Sequence, residues 1–275
     1  MKVLRTITEM RAFRAKGARS PLGLVPTMGN LHEGHLSLVR TAKQESQTVI
    51  VSVYVNPAQF NNPEDLRSYP RTWDKDRSLL EDLDVDGVFL PTDDEMYPRG
   101  CSVTINPGTL ASRWEGEYRP GHFAGVCTAV AKLFGIVLPD LAYFGEKDYQ
   151  QLQVIRAMVR DLNLVVIIRS GETIRNTDGL ALSSRNQLLS PEERARAPQL
   201  KQSLDRLRVA IRTGKNPSTA LKAECDILKE NGFRMDYLAL VNSETLEPLS
   251  KMEENSRLLV AASIGSVRLI DNCAL

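Results

Sequence analysis

Two histidines three positions apart offer the most distinctive chemistry in the sequence. The stretch PTMGNLHEGH, residues 26–35, contains His32 and His35, and the chain has only one further histidine, His122. Side chains at this spacing lie on one face of a helical turn and can donate hydrogen bonds to the same anion. Gly29 permits a tight turn just before them, which brings backbone N–H groups close to a ligand. The pattern therefore predicts a phosphate site at the start of a helix.

A zinc site is the first alternative for this histidine pair. No cysteine or third histidine lies nearby in the sequence, and Glu33 stands between the histidines instead of in the His-Glu-x-x-His order. The segment also lacks the Walker and Gly-x-Gly-x-x-Gly patterns of other phosphate-binding folds. The second alternative is a pair of capping or solvent-facing histidines without a ligand.

Two later segments have residue types that suit a polyphosphate. In FGEKDYQQ, residues 144–151, Lys147 precedes two glutamines at the start of a predicted helix. In DGLALSSRN, residues 178–186, two serines stand beside Arg185 in a loop that contains glycine. Cations and hydroxyl groups supply the charge and the donors that phosphate oxygens need. Together with the histidine segment they predict a site for ATP or a related nucleotide.

The elements that must position these segments alternate between strand and helix. Mainly apolar runs at 22–26, 48–55, 87–91, 140–146 and 164–170 are typical of strands covered on both faces, and helical patterns lie between them. This alternation predicts a Rossmann-like α/β fold, with a parallel sheet and helices on both of its faces. Such sheets bind ligands outside the carboxyl ends of their strands, where the histidine segment is expected.

The sequence pattern changes after Arg175. Ser190-Pro191-Glu192-Glu193 is a strong helix start, a further helix is predicted at about 218–230, and Asn231-Gly232 should end it. Strand-like runs follow at 234–241, 256–264 and 266–272. We therefore predict a Rossmann-like domain over residues 1–172 and a smaller α+β domain over residues 173–275.

Charge and composition exclude several classes of partner. With 35 basic and 34 acidic residues the net charge is +1, so no overall field attracts nucleic acid or an anionic membrane. The apolar runs are far shorter than a membrane span, and the charged residues of the first 20 positions do not fit a secretory signal. The four cysteines are widely scattered, which favours reduced thiols and a cytoplasmic protein.

Six segments, in order, resemble one known family. PTMGNLHEGHLSLV, VNPAQFNNPEDLRSYPRT, RPGHFAGV, FGEKDYQQL, DGLALSSRN and RLIDN are similar to segments of the pantoate–β-alanine ligases. The likeness covers most of residues 20–190 and continues more weakly to the carboxyl terminus. The first segment is also shared with the wider nucleotidylyltransferase and class I aminoacyl-tRNA synthetase superfamily, whereas the others are close to diagnostic.

This resemblance implies a reaction and an assembly. Pantoate would attack the α-phosphorus of ATP, pyrophosphate would leave, and β-alanine would displace AMP from pantoyl-adenylate to give pantothenate. It further implies a carboxy-terminal lid domain, a cytoplasmic homodimer, Mg²⁺ bound with ATP, and no tightly bound organic cofactor. No enzyme nucleophile is needed, and the sequence has no recognisable nucleophile–base motif.

The resemblance also assigns residues. His35 would be a proton donor, with His32, Lys147 and Arg185 as further catalytic residues around the phosphates. Pantoate would be bound by Gln59 and Gln151, with Asn56 nearby. Magnesium would lie at Asp76, beside which Lys75 replaces a frequent acid. The implied ATP-binding residues are Met28, Gly29, Asn30, Leu31, His32, Glu33, Gly34, His35, Gly145, Glu146, Lys147, Asp148, Ile174, Leu182, Ser183, Ser184 and Arg185.

Three points stay open at the level of sequence. His122 is as compatible with a structural hydrogen bond as with a substrate contact. A nucleotidyltransferase of the same superfamily, acting on another small substrate, is one alternative function. A nucleotide-sensing module without chemistry is another, although retention of the histidine pair, Lys147 and Arg185 argues against it.

Overall fold

A computed structural model describes all residues from 1 to 275. The chain divides into two compact units. The first unit contains Met1–Glu146 and Gln150–Glu172, and the second contains Lys147–Tyr149 and Thr173–Leu275. The short segment Lys147–Tyr149 therefore groups with the carboxy-terminal part of the chain.

The first unit is built on a sheet of six parallel strands in the order β1-β4-β3-β2-β5-β6. The strands are β1 (Lys2–Leu4), β2 (Leu22–Thr27), β3 (Thr48–Val53), β4 (Gly87–Phe89), β5 (Leu141–Gly145) and β6 (Ile167–Gly171). Every residue of β3 is buried, as its mainly apolar sequence predicts for an interior strand. The predicted parallel sheet is confirmed.

Helices connect these strands and cover the sheet. They are α1 (Ile7–Ala15), α2 (Glu33–Glu45), α3 (Pro63–Ser68), α4 (Trp73–Asp82), α5 (Asp93–Met96), α6 (Glu115–Tyr118), α7 (His122–Val137) and α8 (Tyr149–Asp161). The apolar face of α2, formed by Leu36, Val39 and Ala42, packs in one core cluster with Val25 and Val51 of the sheet. This packing fixes the direction in which the start of α2 points.

The sheet has a topological switch point between β2 and β5. From β2 the chain crosses to β3 on one side, and from β5 it crosses to β6 on the other side, while β2 and β5 pair with each other through Gly23–Leu141 and Leu24–Ala142. In open α/β sheets, ligands bind in the crevice outside the carboxyl ends of the strands at such a point. The histidine segment follows β2, so it lies at the edge where a ligand is expected.

The second unit pairs a three-stranded antiparallel sheet with helices. The strands β7 (Phe233–Asn242), β8 (Ser256–Ile264) and β9 (Val267–Ala274) lie in the order β7-β8-β9, and the helices are α9 (Pro191–Arg196), α10 (Gln199–Arg212) and α11 (Pro217–Glu230). Leu200, Leu204 and Leu207 of α10 pack with Leu258 and Val260 of β8 in one hydrophobic core. The predicted α+β architecture is confirmed.

Helix boundaries in this unit follow the expected signals. Ser190 caps α9, accepting a hydrogen bond from Glu193 N at 3.2 Å, and the Glu193 carboxylate accepts one from Ser190 N at 2.8 Å. Gly232, with a φ of 86°, follows the end of α11 in the left-handed region. Pro198 lies between α9 and α10, so the helical pattern after Ser190 is two helices. No helix in the structure is both long and apolar enough to cross a membrane.

Candidate active site

The turn after β2 is formed by two residues in left-handed conformation. Gly29 has a φ of 80° and Asn30 a φ of 50°. A side chain at position 29 would place its Cβ 3.1 Å from Asp76 Oδ2 and 3.2 Å from Val53 Cγ1. Glycine is required here both by the backbone angle and by the close neighbours, whereas asparagine tolerates the left-handed region. The turn then enters α2 at His32.

Asp76 holds this turn through its backbone. The Asp76 carboxylate is fully buried and accepts hydrogen bonds at 2.8 Å from both Asn30 N and Leu31 N, and a third at 3.2 Å from the Thr72 hydroxyl. The sequence predicts that the N–H groups of the glycine turn face a phosphate. At Asn30 and Leu31 they face Asp76 instead, because a buried carboxylate must satisfy its oxygens with donors.

These contacts bear on the expected magnesium site. Magnesium binds carboxylate oxygens that are open to it and keeps much of its water. Both oxygens of Asp76 are occupied by protein donors, and its side chain has no exposed surface. No group of three or more His, Cys, Asp or Glu side chains in residues 1–275 is arranged to hold a metal ion. The assignment of magnesium to Asp76 stays a prediction, and the contacts of this carboxylate argue against it.

The two histidines cap the start of α2, and backbone N–H groups set the tautomer of each ring. His32 Nδ1 accepts a hydrogen bond from Gly34 N at 3.2 Å, and His35 Nδ1 accepts one from His32 N at 3.4 Å. Their ring centroids are 4.1 Å apart. A backbone N–H can only donate, so each neutral imidazole carries its proton on Nε2. Both rings are therefore set to donate from Nε2, as the binding of a phosphate oxygen requires.

Gly34 accounts for the glycine between the histidines. A Cβ at this position would lie 3.0 Å from both Cε1 and Nδ1 of the His32 ring. The absence of a side chain lets that ring fold back over the first turn of the helix. The preceding residue, Glu33, is exposed and pairs with Arg40, so its side chain is engaged away from the histidines.

The predicted pantoate residues differ in how far their side chains are already bonded. Asn56 is only 2% exposed, and its Nδ2 donates to Gln59 Oε1 at 3.0 Å and to Gly125 O at 3.1 Å. Gln59 is partly exposed, and its Nε2 lies 3.0 Å from Met28 Sδ, in the turn before the histidines. The structure thus brings Gln59 and Met28 together and makes Asn56 a support of Gln59.

The two glutamines at the start of α8 have separate roles. Gln150 is buried, donating to Leu110 O and Arg113 O at 3.0 and 2.8 Å and accepting from Glu115 N at 2.9 Å. Gln151 is partly exposed and makes no side-chain hydrogen bond within the chain. Its amide is therefore available to a ligand, and the assignment of Gln151 to pantoate stays a prediction.

The remaining predicted ATP residues belong to the second unit or to the end of β5. Gly145 ends β5 and Glu146 follows it in the first unit. Lys147 lies in the second unit, with its side chain 20% exposed and its Nζ 3.6 Å from Asp148 Oδ1. Ile174 O accepts a hydrogen bond from Leu182 N at 2.9 Å, so the Ile174 carbonyl already has a partner. Its N–H group makes no backbone hydrogen bond within the chain, and its contact with adenine stays a prediction.

The serine-rich segment begins a short 3-10 turn. Ser183 caps the turn Ser184–Leu188, and its Oγ accepts a hydrogen bond from Arg185 N at 3.3 Å. Asn186 Nδ2 donates to Ala181 O at 2.9 Å, which joins the residues on either side of positions 182–185. The four residues predicted to bind phosphate here, Leu182, Ser183, Ser184 and Arg185, are all partly buried.

Two residues of β9 support these segments and were not assigned roles from sequence. Asp271 is 4% exposed on its side chain and accepts hydrogen bonds from both terminal nitrogens of Arg175, at 2.6 and 2.8 Å. Burial lowers the pKa of Arg175, but its hydrogen bonds and charge pairing with Asp271 outweigh burial and raise it overall. Asn272 Nδ2 donates to Lys147 O at 3.1 Å. Both residues belong to the RLIDN segment, whose resemblance to the family was the one sequence signal that pointed to them.

A doubly wound parallel sheet with a histidine pair at its switch point defines a Rossmann-like, nucleotide-binding class of protein. Within that class, the chain belongs to the pantoate–β-alanine ligase family, whose model matches residues 2–274.

Individual relatives agree over the full length of the chain. It is 49% identical over 273 residues to the pantothenate synthetase of Cereibacter sphaeroides, covering 98% of each chain. It is 48% identical over 278 residues to that of Acidiphilium cryptum, covering 100% of each. The crystal structure of pantothenate synthetase from Thermus thermophilus matches with a TM-score of 0.93 at 48% identity, with 99% of each chain covered.

A further solved relative was crystallised with ligands. The pantoate–β-alanine ligase of Francisella tularensis, complexed with β-γ ATP and β-alanine, matches with a TM-score of 0.85 at 36% identity. The match covers 100% of this chain and 97% of that one.

Proposed function

We propose that the chain is an ATP-dependent ligase that condenses (R)-pantoate with β-alanine through pantoyl-adenylate, giving pantothenate, AMP and pyrophosphate. The observation that carries this proposal is the pair His32 and His35 at the switch point of the sheet. Both have Nδ1 engaged by backbone and Nε2 set to donate. Membership of the pantoate–β-alanine ligase family supports the choice of substrates.

The chemistry needs positioning more than a reactive side chain. A carboxylate resists attack by an amine, so its oxygen first attacks the α-phosphorus of ATP and the bond to pyrophosphate breaks. The β-alanine amine then attacks the acyl carbon, and the bond to the AMP oxygen breaks as the amine loses a proton. Charge develops on phosphate oxygens in the first step, and fixed donors aimed at those oxygens accelerate it.

Residues of the first unit would bind the reacting ends of the substrates. His35 donates from Nε2 to phosphate oxygens as negative charge develops, and His32 shares these contacts. Gln59 and Gln151 bind the hydroxyl and carboxylate oxygens of pantoate through their amides. The free amide of Gln151 and the partly exposed amide of Gln59 support these roles.

Residues of the second unit would bind the nucleotide and the leaving group as a lid. Lys147 neutralises phosphate charge, Ile174 contacts adenine through its backbone, and residues 182–185 bind the pyrophosphate. The 3-10 turn capped by Ser183 and the partly buried ammonium of Lys147 support these roles, because both place hydrogen-bond donors on short, ordered segments. Mg²⁺ bound with ATP would supply further charge neutralisation at the phosphates.

We also propose that the protein is a cytoplasmic homodimer. Edge strand β6 leaves one side of the sheet unpaired, and apolar side chains are exposed beside it: Leu162 at 51%, Val165 at 97% and Ile167 at 57%. Exposed apolar groups beside a free strand edge favour association with a second copy. Sedimentation should give twice the chain mass, and Val165→Glu should shift the protein toward monomer. All four cysteines are free, as expected for a reducing compartment.

The proposed function is tested by full turnover. With pantoate, β-alanine and ATP, the protein should release AMP, pyrophosphate and pantothenate in equal amounts. With β-alanine omitted, labelled pyrophosphate should still exchange into ATP, and only when pantoate is present. An adenylylated product that never passes to β-alanine would indicate a nucleotidyltransferase, and ATP binding without exchange would indicate a nucleotide sensor.

A further inference from the structure

The main chain of Gln59 is held by two side chains from the RPGHFAGV segment. His122 Nδ1 lies 2.9 Å from Gln59 O, and an Arg119 terminal nitrogen lies 3.4 Å from the same oxygen. The other terminal nitrogen of Arg119 lies 3.2 Å from His122 Nε2. His122 is 5% exposed, so these contacts are made in the protein interior.

The partners of His122 define its proton. A carbonyl oxygen can only accept, so His122 Nδ1 must carry a hydrogen and donate it to Gln59. Arginine can only donate, so Nε2 must accept from Arg119 and cannot carry a hydrogen. His122 is therefore neutral in this arrangement, with the opposite tautomer from the two histidines of α2. It binds the turn that carries Gln59.

The side chain of Gln59 is held through Asn56 and Tyr97. Asn56 Nδ2 donates to Gln59 Oε1 at 3.0 Å and to Gly125 O at 3.1 Å. Asn56 Oδ1 accepts from the Tyr97 hydroxyl at 2.9 Å and from Ala58 N at 3.3 Å. Tyr97 thus fixes which way the Asn56 amide faces, and Asn56 in turn fixes which way the Gln59 amide faces. Gln59 Oε1 is thereby engaged by Asn56, and Nε2, which lies 3.0 Å from Met28 Sδ, keeps a second hydrogen to donate.

Close packing makes this arrangement rigid. A Cβ on Gly125 would lie 2.1 Å from Ala58 O and 2.7 Å from Gln59 N, so only glycine lets α7 approach the turn Pro57–Gln59 so closely. Burial is the main cause that raises the pKa of Tyr97 to about 12, which keeps its hydroxyl protonated as the donor to Asn56. The segments VNPAQF and RPGHFAGV therefore pack against each other and hold Gln59 together.

We propose that Tyr97 and His122 are positioning residues for pantoate, acting through Gln59 rather than touching the substrate. They hold its amide so that Nε2 donates to an oxygen of the hydroxy acid. This inference rests on the proposed function, in which Gln59 binds pantoate. It predicts an effect specific to pantoate, since Tyr97 and His122 both act on Gln59, through Asn56 and through the Gln59 carbonyl.

Tyr97→Phe tests whether Tyr97 orients the Gln59 side chain, and Tyr54→Phe is its matched control. The Tyr54 ring centroid lies 6.5 Å from that of Tyr97 and its hydroxyl donates to Asp93 at 3.0 Å, away from Asn56. Loss of one orienting hydrogen bond in Tyr97→Phe should raise the KM for pantoate about tenfold. The KM values for ATP and β-alanine should change less than twofold, and Tyr54→Phe should leave all three unchanged.

His122→Ala and His122→Asn test whether His122 positions the main chain of Gln59. The amide nitrogen of asparagine can replace Nδ1 as the donor to Gln59 O, whereas alanine cannot. His122→Ala should raise the pantoate KM about tenfold. His122→Asn should restore it to within about threefold of the wild-type value, although both variants lose the acceptor for Arg119. Melting temperatures identify any variant that fails to fold. If both variants fold, the difference between their KM values for pantoate tests the role of His122.

The outcomes separate this inference from the proposed function. If the wild-type protein has no pantoate-dependent turnover, the proposed function is wrong. If the wild type turns over but Tyr97→Phe and His122→Ala leave the pantoate KM within twofold, only the positioning role is overturned. Equal rises in the KM of all three substrates, or a His122→Asn variant as defective as His122→Ala, would also overturn it.

Discussion

Asp76 Oδ1 lies 2.8 Å from Leu31 N, although the two residues are 45 positions apart in the sequence. Its other oxygen accepts from Asn30 N, so one carboxylate holds the whole entry to α2. The role usually given to a bound anion at such a turn, that of satisfying the backbone N–H groups, is taken here by the protein. The proposed function therefore assigns the contacts with the phosphates to the two histidines rather than to these backbone N–H groups.

Replacing Asp76 with alanine should loosen the turn. Two buried N–H groups would lose their acceptor, and the variant should be destabilised by about 3 kcal/mol in urea unfolding. The KM for ATP should rise, because the histidines would no longer be fixed relative to β2. Asp74→Asn is the control, since Asp74 lies at the start of the same helix without contacting the turn and should give near-wild-type values. A fully stable and active Asp76→Ala protein would contradict the role.

His35→Ala tests the proposed donor directly. Loss of one preorganised donor to developing charge should reduce the rate of adenylation by roughly 100- to 1,000-fold. The melting temperature should fall little, because His35 is only partly buried at the surface of α2. Near-normal pyrophosphate exchange in this variant would refute the assignment.

Gly34→Ala separates helix stability from ring placement. Alanine favours a helix over glycine by up to about 1 kcal/mol, yet its Cβ would press on the His32 ring. We expect a normal melting temperature with a clear loss of adenylation rate. Gly135→Ala is the matched control, because nothing lies within 4 Å of a Cβ there. That variant should be slightly more stable and fully active, and equal activities of the two would count against the importance of the His32 ring position.

Breaking the pair between Arg175 and Asp271 should destabilise the second unit. Arg175→Met would leave the buried Asp271 carboxylate without its cation. This should lower the free energy of unfolding by about 3–5 kcal/mol. Arg194→Met is a control from the same unit, because the Arg194–Asp178 pair is exposed by 34% and 41% on its two sides and should contribute less than about 1 kcal/mol. Hydrogen exchange of residues in β9 measures both. Similar losses in the two variants would contradict the importance of burial.

Stability should fall at alkaline pH in a way that depends on Tyr97. Burial raises the pKa of Tyr97 from 10.0 to about 12. Below pH 10 the hydroxyl is protonated in both states, and between 10 and 12 the unfolded chain loses this proton while the native protein keeps it. Stability therefore falls as the pH rises through this window. Tyr97→Phe should show a shallower fall in urea unfolding between about pH 9 and about pH 11.5, and an unchanged slope would contradict the burial of this hydroxyl.

Local signals were sufficient to predict the turn at which the candidate site begins. The paired histidines, Gly29 and the strand before them predicted where α2 begins, because capping and turn formation depend on residues close in sequence. The choice of Gln151 over Gln150 rests on the resemblance and stays a prediction. Gln150 is used by residues 110–115, which no local pattern reveals.

Features that depend on distant contacts could not be predicted. The hydrogen bonds from Leu31 N to Asp76 and from His122 to Gln59 O join residues far apart in sequence. The pattern of β1 is only three residues long, too short for an alternation to be recognised. The expectation that the turn's N–H groups bind phosphate was reasonable for a glycine turn, but a buried carboxylate from α4 occupies them.

The central claim, that the acid is activated as an adenylate, is tested most directly by following oxygen. Pantoate labelled with ¹⁸O in its carboxylate should be turned over with ATP and unlabelled β-alanine, and the AMP and pyrophosphate analysed by mass spectrometry. The account predicts that one ¹⁸O passes to AMP, because the attacking oxygen stays on the α-phosphorus when the amine displaces it. Label in the pyrophosphate, or in neither product, would contradict activation at the α-phosphorus.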